Sequence, residues 1–507
     1  MPDVARSARL PVRDDPVGPG GGRSDVEVGP RLSWPGRTWS VGAPWPESPA
    51  LRRQERFGPP SDNHLIHGDS LDVARRLLDT GWRGRVDLVY VDPPFGSQAS
   101  YTHEARLDGP ADGRVRRTRA YDDSWPDRRG PGASDAEDGI GAYLDMLAPR
   151  LEALAALLAP TGTIWVHLDW RAAYLVRVLL DEVLGRRRFI NEVVWRRAPN
   201  LGRQAASGQF GRTLDTLVVY GGPAARLSPP TRLEPIAASA IRRDEEGRPF
   251  TAAPRGDYTD ESMARLDAEG RVHRTASGRQ YVKYFLEPNQ AGELCRERRI
   301  DTLWTDVPPL RHAAVSERTG FPTQKPRALL ERIVRCATPP GGLVVDLFAG
   351  SGTAGEAAHA LGRTFFLGDR SSVAINVTRA RLLRAKVPFA VESCGDVAPP
   401  TDADPEVRVT RPSLDQIHLD LLRPTEPLAW AVGQRAADGR PFVASWHSER
   451  RPGAVPVAAV RQAVVPAAPR ENGPSGGEDA DGGVEVRVYG DDGSIAVHPV
   501  STADSPP

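Results

Sequence analysis

Asp92-Pro93-Pro94-Phe95 brings together residue types that suit one kind of chemistry. An exocyclic amine on adenine or cytosine is a poor nucleophile, because its lone pair is delocalised into the ring. Two acceptors that bind both of its N–H groups favour a pyramidal nitrogen and free that pair. The Asp92 carboxylate and the Pro93 carbonyl can be those acceptors. Consecutive prolines fix φ and hold the carbonyl in place. Phe95 can stack on a base rotated out of a duplex, since chemistry on a base requires it to leave the stack. In isolation the same four residues also make a rigid turn with an incidental aromatic.

A second chemical signature lies far along the chain, in DLFAGSGTAG (346–355). Gly350, Gly352 and Gly355 satisfy GxGxxG between a strand and a helix, where glycine lets the backbone turn tightly and approach a ligand. The next strand ends at Asp369, placed to accept ribose hydroxyls. Alone these residues specify an adenosine-containing cofactor and equally suit NAD. Two features favour S-adenosylmethionine. A dinucleotide half-fold should continue after Asp369 with another crossover and strand, but one helix follows and the chain turns Pro-rich; the missing strand stands at the front, as HLIHGD (64–69). And Asp346 suits the ammonium of a methionine moiety, whereas it would repel a pyrophosphate. A sulfonium is already an activated methyl donor, so alignment is the main task and no metal is required.

Several elements must position these residues. HLIHGD reads as a strand and SLDVARRLLD (70–79) as a helix capped by Ser70. VDLVYVD (86–92) is a near-continuous apolar run, typical of a strand buried on both faces of a parallel sheet. Residues 105–140 are polar and Gly-rich, with the basic run RVRRTR (114–119), and read as a long mobile loop. Residues 144–158 and 171–185 read as helices; 162–168, 189–195 and 213–221 as strands. After a polar stretch over 222–320, a helix (326–337), strand (343–350), helix (354–362), strand (364–369) and helix (371–385) follow. Strands alternating with helices imply a doubly wound parallel sheet.

The chain has 507 residues, with 66 Lys+Arg against 66 Asp+Glu. That balance neither suggests nor excludes a nucleic-acid partner, because phosphate contacts depend on local charge. Cys295, Cys336 and Cys394 are far apart, which argues against a zinc site or disulfide framework and fits a reducing cytoplasm. The N-terminus lacks the apolar run of a signal peptide, and no apolar stretch reaches the roughly 18 residues of a membrane span. Residues 1–60 read as a disordered arm, with Trp34, Trp39 and Trp45 offering the alternative of a docking segment. Residues 397–507 read as a partly disordered extension with a hairpin near 484–500.

Taken in order, HGDSLD (67–72), VDPPF (91–95), GTIWVHLDW (162–170), NEVVWRR (191–197), LDTLVVY (214–220), ERTGFPTQKP (317–326), DLFAGSGT (346–353) and FFLGD (365–369) resemble the amino-methylating DNA methyltransferases of the β arrangement, in which the catalytic motif precedes the cofactor motif. Within that family the likeness is to bacterial site-specific adenine methyltransferases related to type III modification subunits. It runs from about His64 to Leu383. The resemblance implies an α/β fold: a Rossmann-like S-adenosylmethionine-dependent sheet over 61–221 and 321–396, with a target-recognition insert at 222–320. It makes Asp92, Pro93, Pro94 and Phe95 the catalytic tetrad. Asp at its head is usual for adenine N6, Ser for cytosine N4. Phe348, Gly350 and Gly352 match the cofactor loop, with Asp346 near the methionine amine. Asp369 matches the ribose-binding acid and Asp69 the acid that reads the cofactor's adenine. Thr323 and Lys325 match a segment expected near the methionine carboxylate; otherwise they belong to a helix-capping loop. DLFAGSGT replaces the commoner DPFCGSGT, and Arg370-Ser371-Ser372 replaces a small apolar, Pro-containing run. The two terminal segments match nothing in the family.

The implied partner is double-stranded DNA in the cytoplasm, at the nucleoid. A restriction subunit and a homodimer are further partners that such relatives have. Arg196, Arg197 and Arg203, with Arg212, flank a Gly-rich loop and are candidates for phosphate contact; solvated surface arginine is the plainer reading of each. Two readings compete with adenine methylation: cytosine N4 or RNA as the target, and a non-catalytic DNA-binding protein that keeps the fold.

Overall fold

The computed structural model describes residues 31–34, 36–106, 115–125, 139–199 and 210–395, and seven strand segments beyond residue 405. The first elements are β1 (Leu51–Phe57), β2 (His64–His67), α1 (Ser70–Leu77) and β3 (Val86–Val91). A hairpin of β4 (Ser100–Arg106) and β5 (Val115–Asp122) follows. Then come α2 (Ile140–Leu157), β6 (Leu158–Leu168), α3 (Ala173–Leu184), β7 (Phe189–Arg196) and β8 (Leu214–Gly221). After the insert the chain resumes with α4 (Arg327–Ala337), β9 (Leu343–Asp346), α5 (Thr353–Ala360), β10 (Thr364–Asp369), α6 (Ser372–Arg384) and β11 (Phe389–Cys394).

One 14-stranded sheet runs through the molecule. Its order is Leu303–Trp304, β7, β8, β6, β3, β9, β10, β2, β11, β1, then Phe442–Glu449, Ala429–Gln434, Val484–Tyr489 and Ile495–Val500. The run from β6 to β11 is parallel throughout. Its strands are buried on both faces, which is why VDLVYV shows little alternation. Val86, Val89 and Val91 pack with α1, α2 and α3 on one face. Leu88 and Tyr90 pack with α4, α5 and α6 on the other. The chain leaves β3 toward β6 but leaves β9 toward β10, so the strand order reverses between β3 and β9. Ligand crevices in open α/β sheets form outside the carboxyl ends of the strands at such a reversal.

Four sequence expectations change. Asp69, not Ser70, caps α1: its Oδ1 accepts from Leu71 N at 2.9 Å. The supposed mobile loop at 105–140 contains β5, which pairs antiparallel with β4; its sequence is mostly polar and so shows no apolar period. The described part of the arm, 31–34 and 36–60, packs on the folded body. Trp39 is buried, and Trp34 and Trp39 donate to Asp145 and Glu152 on α2 at 3.2 and 3.0 Å. Arg37 bridges both indoles and reaches Glu182 on α3. Residues 1–30 lie outside the described residues. Finally, the chain does supply a strand after α6, namely β11, so the argument against NAD from a missing strand falls. The sheet still differs from a mononucleotide half, because β2 lies between β10 and β11.

Residues 222–320 form two small sheets of their own, while Leu303–Trp304 joins the main sheet. Arg242–Arg243, Pro249–Pro254, Gln280–Phe285 and Val272–Arg274 form one antiparallel sheet, with Met263, Leu266, Val272 and Val282 as its small core. Glu287–Pro288, Leu294–Arg299 and Thr231–Pro235 form another. The C-terminal extension holds the expected hairpin, Val484–Tyr489 against Ile495–Val500. It also extends the main sheet: Phe442–Glu449 lies parallel to β1. The seam is ionic. Buried Glu55 takes Arg379 at 2.9 Å, Arg487 at 3.0 Å and the Tyr489 hydroxyl at 3.0 Å. These contacts hold its carboxyl below the ordinary value against the opposing effect of burial.

Candidate active site

The carboxyl ends of β2, β3, β9 and β10 open into one cavity. Asp69, Asp92, Pro93, Pro94, Phe95, Thr323, Lys325, Asp346, Phe348, Gly350 and Asp369 all line it. Gly352 lies just behind. The two signatures that stand so far apart in sequence therefore share one site.

The glycines are required by geometry. Gly352 has φ +74°, and a Cβ there would lie 2.6 Å from Thr378 Cγ2. Gly350 has φ +51°, and its Cβ would meet Phe321 at 3.1 Å. Neither conformation suits a side chain. The loop is tied to the next strand by Asp369, whose Oδ2 accepts from Gly350 N and whose Oδ1 accepts from Ser371 N, each at 2.9 Å. Asp346 ends β9, with Oδ1 accepting from Phe348 N at 3.0 Å. Asp69 holds the far wall, where both oxygens take Arg150 Nη2, at 2.8 and 2.6 Å.

The site is rich in carboxylate. Burial above all pushes Asp346 well up from the ordinary carboxylate value, and Asp92 and Asp369 add to the shift; Lys325 opposes it. Burial also raises Asp369, against hydrogen bonds from Ser371 and Gly350. Lys325 pairs with Asp92, its Nζ lying 2.7 and 2.5 Å from the two carboxylate oxygens and 5.1 Å from the Phe95 ring centre. The resemblance expects Lys325 near a methionine carboxylate; its partner in the structure is the head of the tetrad. The neighbouring Thr323 adopts φ +60°, unusual for a β-branched residue, and its Oγ1 lies 3.1 Å from the Tyr121 hydroxyl. Burial raises the Tyr121 phenol.

The hairpin contributes walls that the sequence reading missed: Tyr101, Tyr121, Asp123 and Trp125. Tyr101 and Tyr121 stack at 4.8 Å between ring centres. The available signal was the aromatic and acidic cluster AYDDSW inside a polar stretch. Arg150 was also missed, since nothing in α2 marks one arginine as facing a cavity. Beneath Phe95 runs a buried chain. His167 stacks on Phe95, lies 2.9 Å from the Tyr90 hydroxyl and 3.2 Å from Asp215, and Asp215 meets Arg197 at 2.7 Å. Arg197, a DNA candidate, is thus engaged with Asp215. Arg196 is exposed on β7, Arg212 lies 3.9 Å over the Trp170 ring, and Arg203 falls outside the described residues.

Residues 86–379 match the protein-family model described as DNA methylase. The chain is 25% identical over 354 residues to the type II methyltransferase M.EcaI of Enterobacter cloacae, covering 64% of this chain and 71% of that protein. It is 25% identical over 361 residues to the Mod subunit of the type III restriction-modification enzyme StyLTI of Salmonella typhimurium strain LT2. There it covers 61% of this chain and 52% of the relative, so it spans about half that relative's length. A solved structure of a putative DNA modification methylase from Thermus thermophilus, complexed with S-adenosyl-L-methionine, is 16% identical and covers 65% of this chain and 99% of that one, with a TM-score of 0.36.

Proposed function

Because the chain belongs to the DNA methylase family, we propose that it methylates the N6 amino group of adenine in DNA, on a base rotated out of the duplex, with S-adenosylmethionine as donor. The observation that carries this reading is the junction of Asp92-Pro93-Pro94-Phe95 with the glycine loop, Asp346 and Asp369 in a single cavity. The residues fit a cationic donor. Five carboxylates, Asp69, Asp92, Asp123, Asp346 and Asp369, line the cavity against Arg150, Lys325 and Arg370, and among the described residues none of these cations is a hydrogen-bond partner of buried Asp346. A pyrophosphate would meet repulsion there; an ammonium and a sulfonium would meet attraction.

In this reading Asp346 takes the methionine amine, Asp369 the ribose hydroxyls and Asp69 the adenine edge. S-adenosylmethionine supplies an activated methyl group when bound. Asp92 accepts one N–H of the target amine and the Pro93 carbonyl the other, which turns the nitrogen lone pair toward the methyl carbon. Lys325 holds the Asp92 carboxylate in place, and a carboxylate oxygen has a second lone pair free to accept the amine. As the C–N bond forms the C–S bond breaks, and the nitrogen becomes cationic. Its extra proton leaves along the hydrogen bond to Asp92. Phe95 stacks on the extruded base, with the His167 ring beneath it.

The insert at 222–320 supplies sequence recognition, and the likeness to a type III Mod subunit supports a restriction partner. Asp92 at the head of the tetrad favours adenine over cytosine. Incubating DNA from a methylation-free host with tritiated S-adenosylmethionine, then separating its nucleosides, tests this. Label in N6-methyldeoxyadenosine is expected. Label confined to N4-methyldeoxycytidine overturns the choice of base.

A further inference from the structure

Asp123 stands at the exit of the β4–β5 hairpin and is 1% exposed. Its carboxylate is filled by five donors, all of them neutral. Oδ2 accepts from Phe95 N at 3.1 Å, Ser97 N at 2.7 Å and Ser97 Oγ at 2.7 Å. Oδ1 accepts from Gly96 N at 3.0 Å and from the Trp125 indole Nε1 at 2.8 Å. Three successive amides that converge on one anion form a nest, a concavity that favours negative charge. The backbone adds two ties between the same segments: Gln98 N donates to Asp123 O at 3.0 Å, and Asp123 N to Ala99 O at 2.9 Å. Gln98 itself takes φ +55°, and its side-chain oxygen accepts from Trp125 N at 3.0 Å.

We propose that Asp123 is the positioning residue of the methyl-transfer loop, fixing Phe95 and Trp125 as the two aromatic walls that receive the extruded base. This rests on the function proposed above and deepens it. The Phe95 and Gly96 amides flank the Phe95 Cα, so anchoring both leaves its ring direction set by χ1 alone. The same carboxylate holds the Trp125 ring by its only donor. Both rings line the cavity that Asp92 enters. Asp123 touches no reacting atom and acts through these neighbours. A carboxylate is required because every partner is a donor. An asparagine presents one oxygen and one NH2 group, so whichever way it turns, one set of donors faces N–H instead of an acceptor.

The test is Asp123→Asn beside Asp122→Asn, a matched change at a partly exposed neighbour whose carboxylate accepts from Ser100, Arg119 and Ser124 and from none of the Phe95–Ser97 amides. Steady-state methylation, S-adenosylmethionine binding by calorimetry and hydrogen exchange of the Phe95–Ser97 amides are measured on the full chain. For Asp123→Asn, kcat should fall on the order of 100-fold while the cofactor Kd stays within about twofold. Exchange should quicken at Phe95–Ser97 and stay unchanged in β3, β9 and β10. Asp122→Asn should match wild type in all three. A wild-type kcat in Asp123→Asn overturns the proposal. So does a loss of cofactor binding and strand protection together, which would mark a general folding role. If the wild-type chain methylates no base, the function fails by itself; unchanged exchange at Phe95–Ser97 refutes the anchoring regardless of activity.

Discussion

Asp346→Asn separates the demands of binding from those of folding. Asp346 is buried at the end of β9, with its charge opposed by burial and by Asp92 and Asp369. An ammonium placed against it favours the carboxylate. Cofactor binding should therefore release a proton wherever the free carboxyl is protonated. Affinity should rise with pH, on the order of tenfold per unit below the raised pKa, and level off above it. Stability of the protein alone runs the other way. A carboxyl whose folded pKa is raised contributes stability that is complete below the unfolded value and lost as pH rises through the folded value. Asparagine removes both effects. It also replaces the proposed charge-assisted hydrogen bond to the methionine amine, worth about 1.5–3 kcal/mol, or roughly 10- to 150-fold in Kd. The variant should bind more weakly, with a flat pH profile, yet melt higher than wild type at neutral and alkaline pH. Calorimetric titrations with S-adenosylmethionine across roughly pH 5 to 9, in buffers of different ionisation enthalpy, count the released proton. Scanning calorimetry of the protein alone gives the opposing trend. A wild-type affinity indifferent to pH with no proton released, or a variant that binds as tightly as wild type, would refute the reasoning.

Three other changes test neighbouring parts of the argument. On the proposed mechanism Asp92→Ala removes an acceptor used at the transition state, so single-turnover methylation should slow about 100- to 1,000-fold with cofactor binding retained. It also leaves the Lys325 side chain, 9% exposed, without its partner, so adding Lys325→Met should recover thermal stability and not rate. Gly352→Ala combines φ +74° with a 2.6 Å contact to Thr378 and should cost about 1–3 kcal/mol in urea unfolding. Gly42→Ala, at φ +77° with nothing within 4 Å of its Cβ, isolates the backbone share of that loss. Glu55→Ala takes the carboxylate from buried Arg379 at the seam between β1, α6 and the C-terminal extension, while Arg487 keeps Glu485; a loss of about 3–5 kcal/mol is expected by scanning calorimetry.

What the sequence makes legible is whatever one segment decides by itself. VDLVYV announces a doubly buried strand, the glycines announce a loop with φ above zero, and Asp92 and Asp369 fall where strands must end. What it hides depends on pairs of segments. Asp69 and Arg150 are 81 residues apart, and nothing in α2 singles out Arg150. Asp123 gains its meaning only from three amides on a loop it folds back upon. β5 is hidden for a different reason: strands are recognised by apolar alternation, and VRRTRAYD is mostly polar. Lys325 lines the cavity with the other motif residues, and its pairing with Asp92 is not written in either motif, because a flexible ammonium chooses among several carboxylates only once they are placed.

The reversal between β3 and β9 explains why the order of the two signatures along the chain does not matter to the site. Val344 and Val345 of β9 pair with Leu88 and Val89 of β3, so the two strands end at the same edge whichever comes first. Their terminal carboxylates are then forced together with Asp369 from the adjoining β10. That crowding is unfavourable for the protein alone, as the raised values at Asp346 and Asp369 indicate. It is relieved in part by Lys325 on Asp92 and by backbone amides on the other two. What those contacts leave uncompensated is a negative field in a cavity walled by aromatic rings. Its natural complement is a molecule with a flat ring system and positive charge near its reactive centre. An adenosyl group bearing a sulfonium meets both conditions, and the same field disfavours an adenosyl group bearing a pyrophosphate.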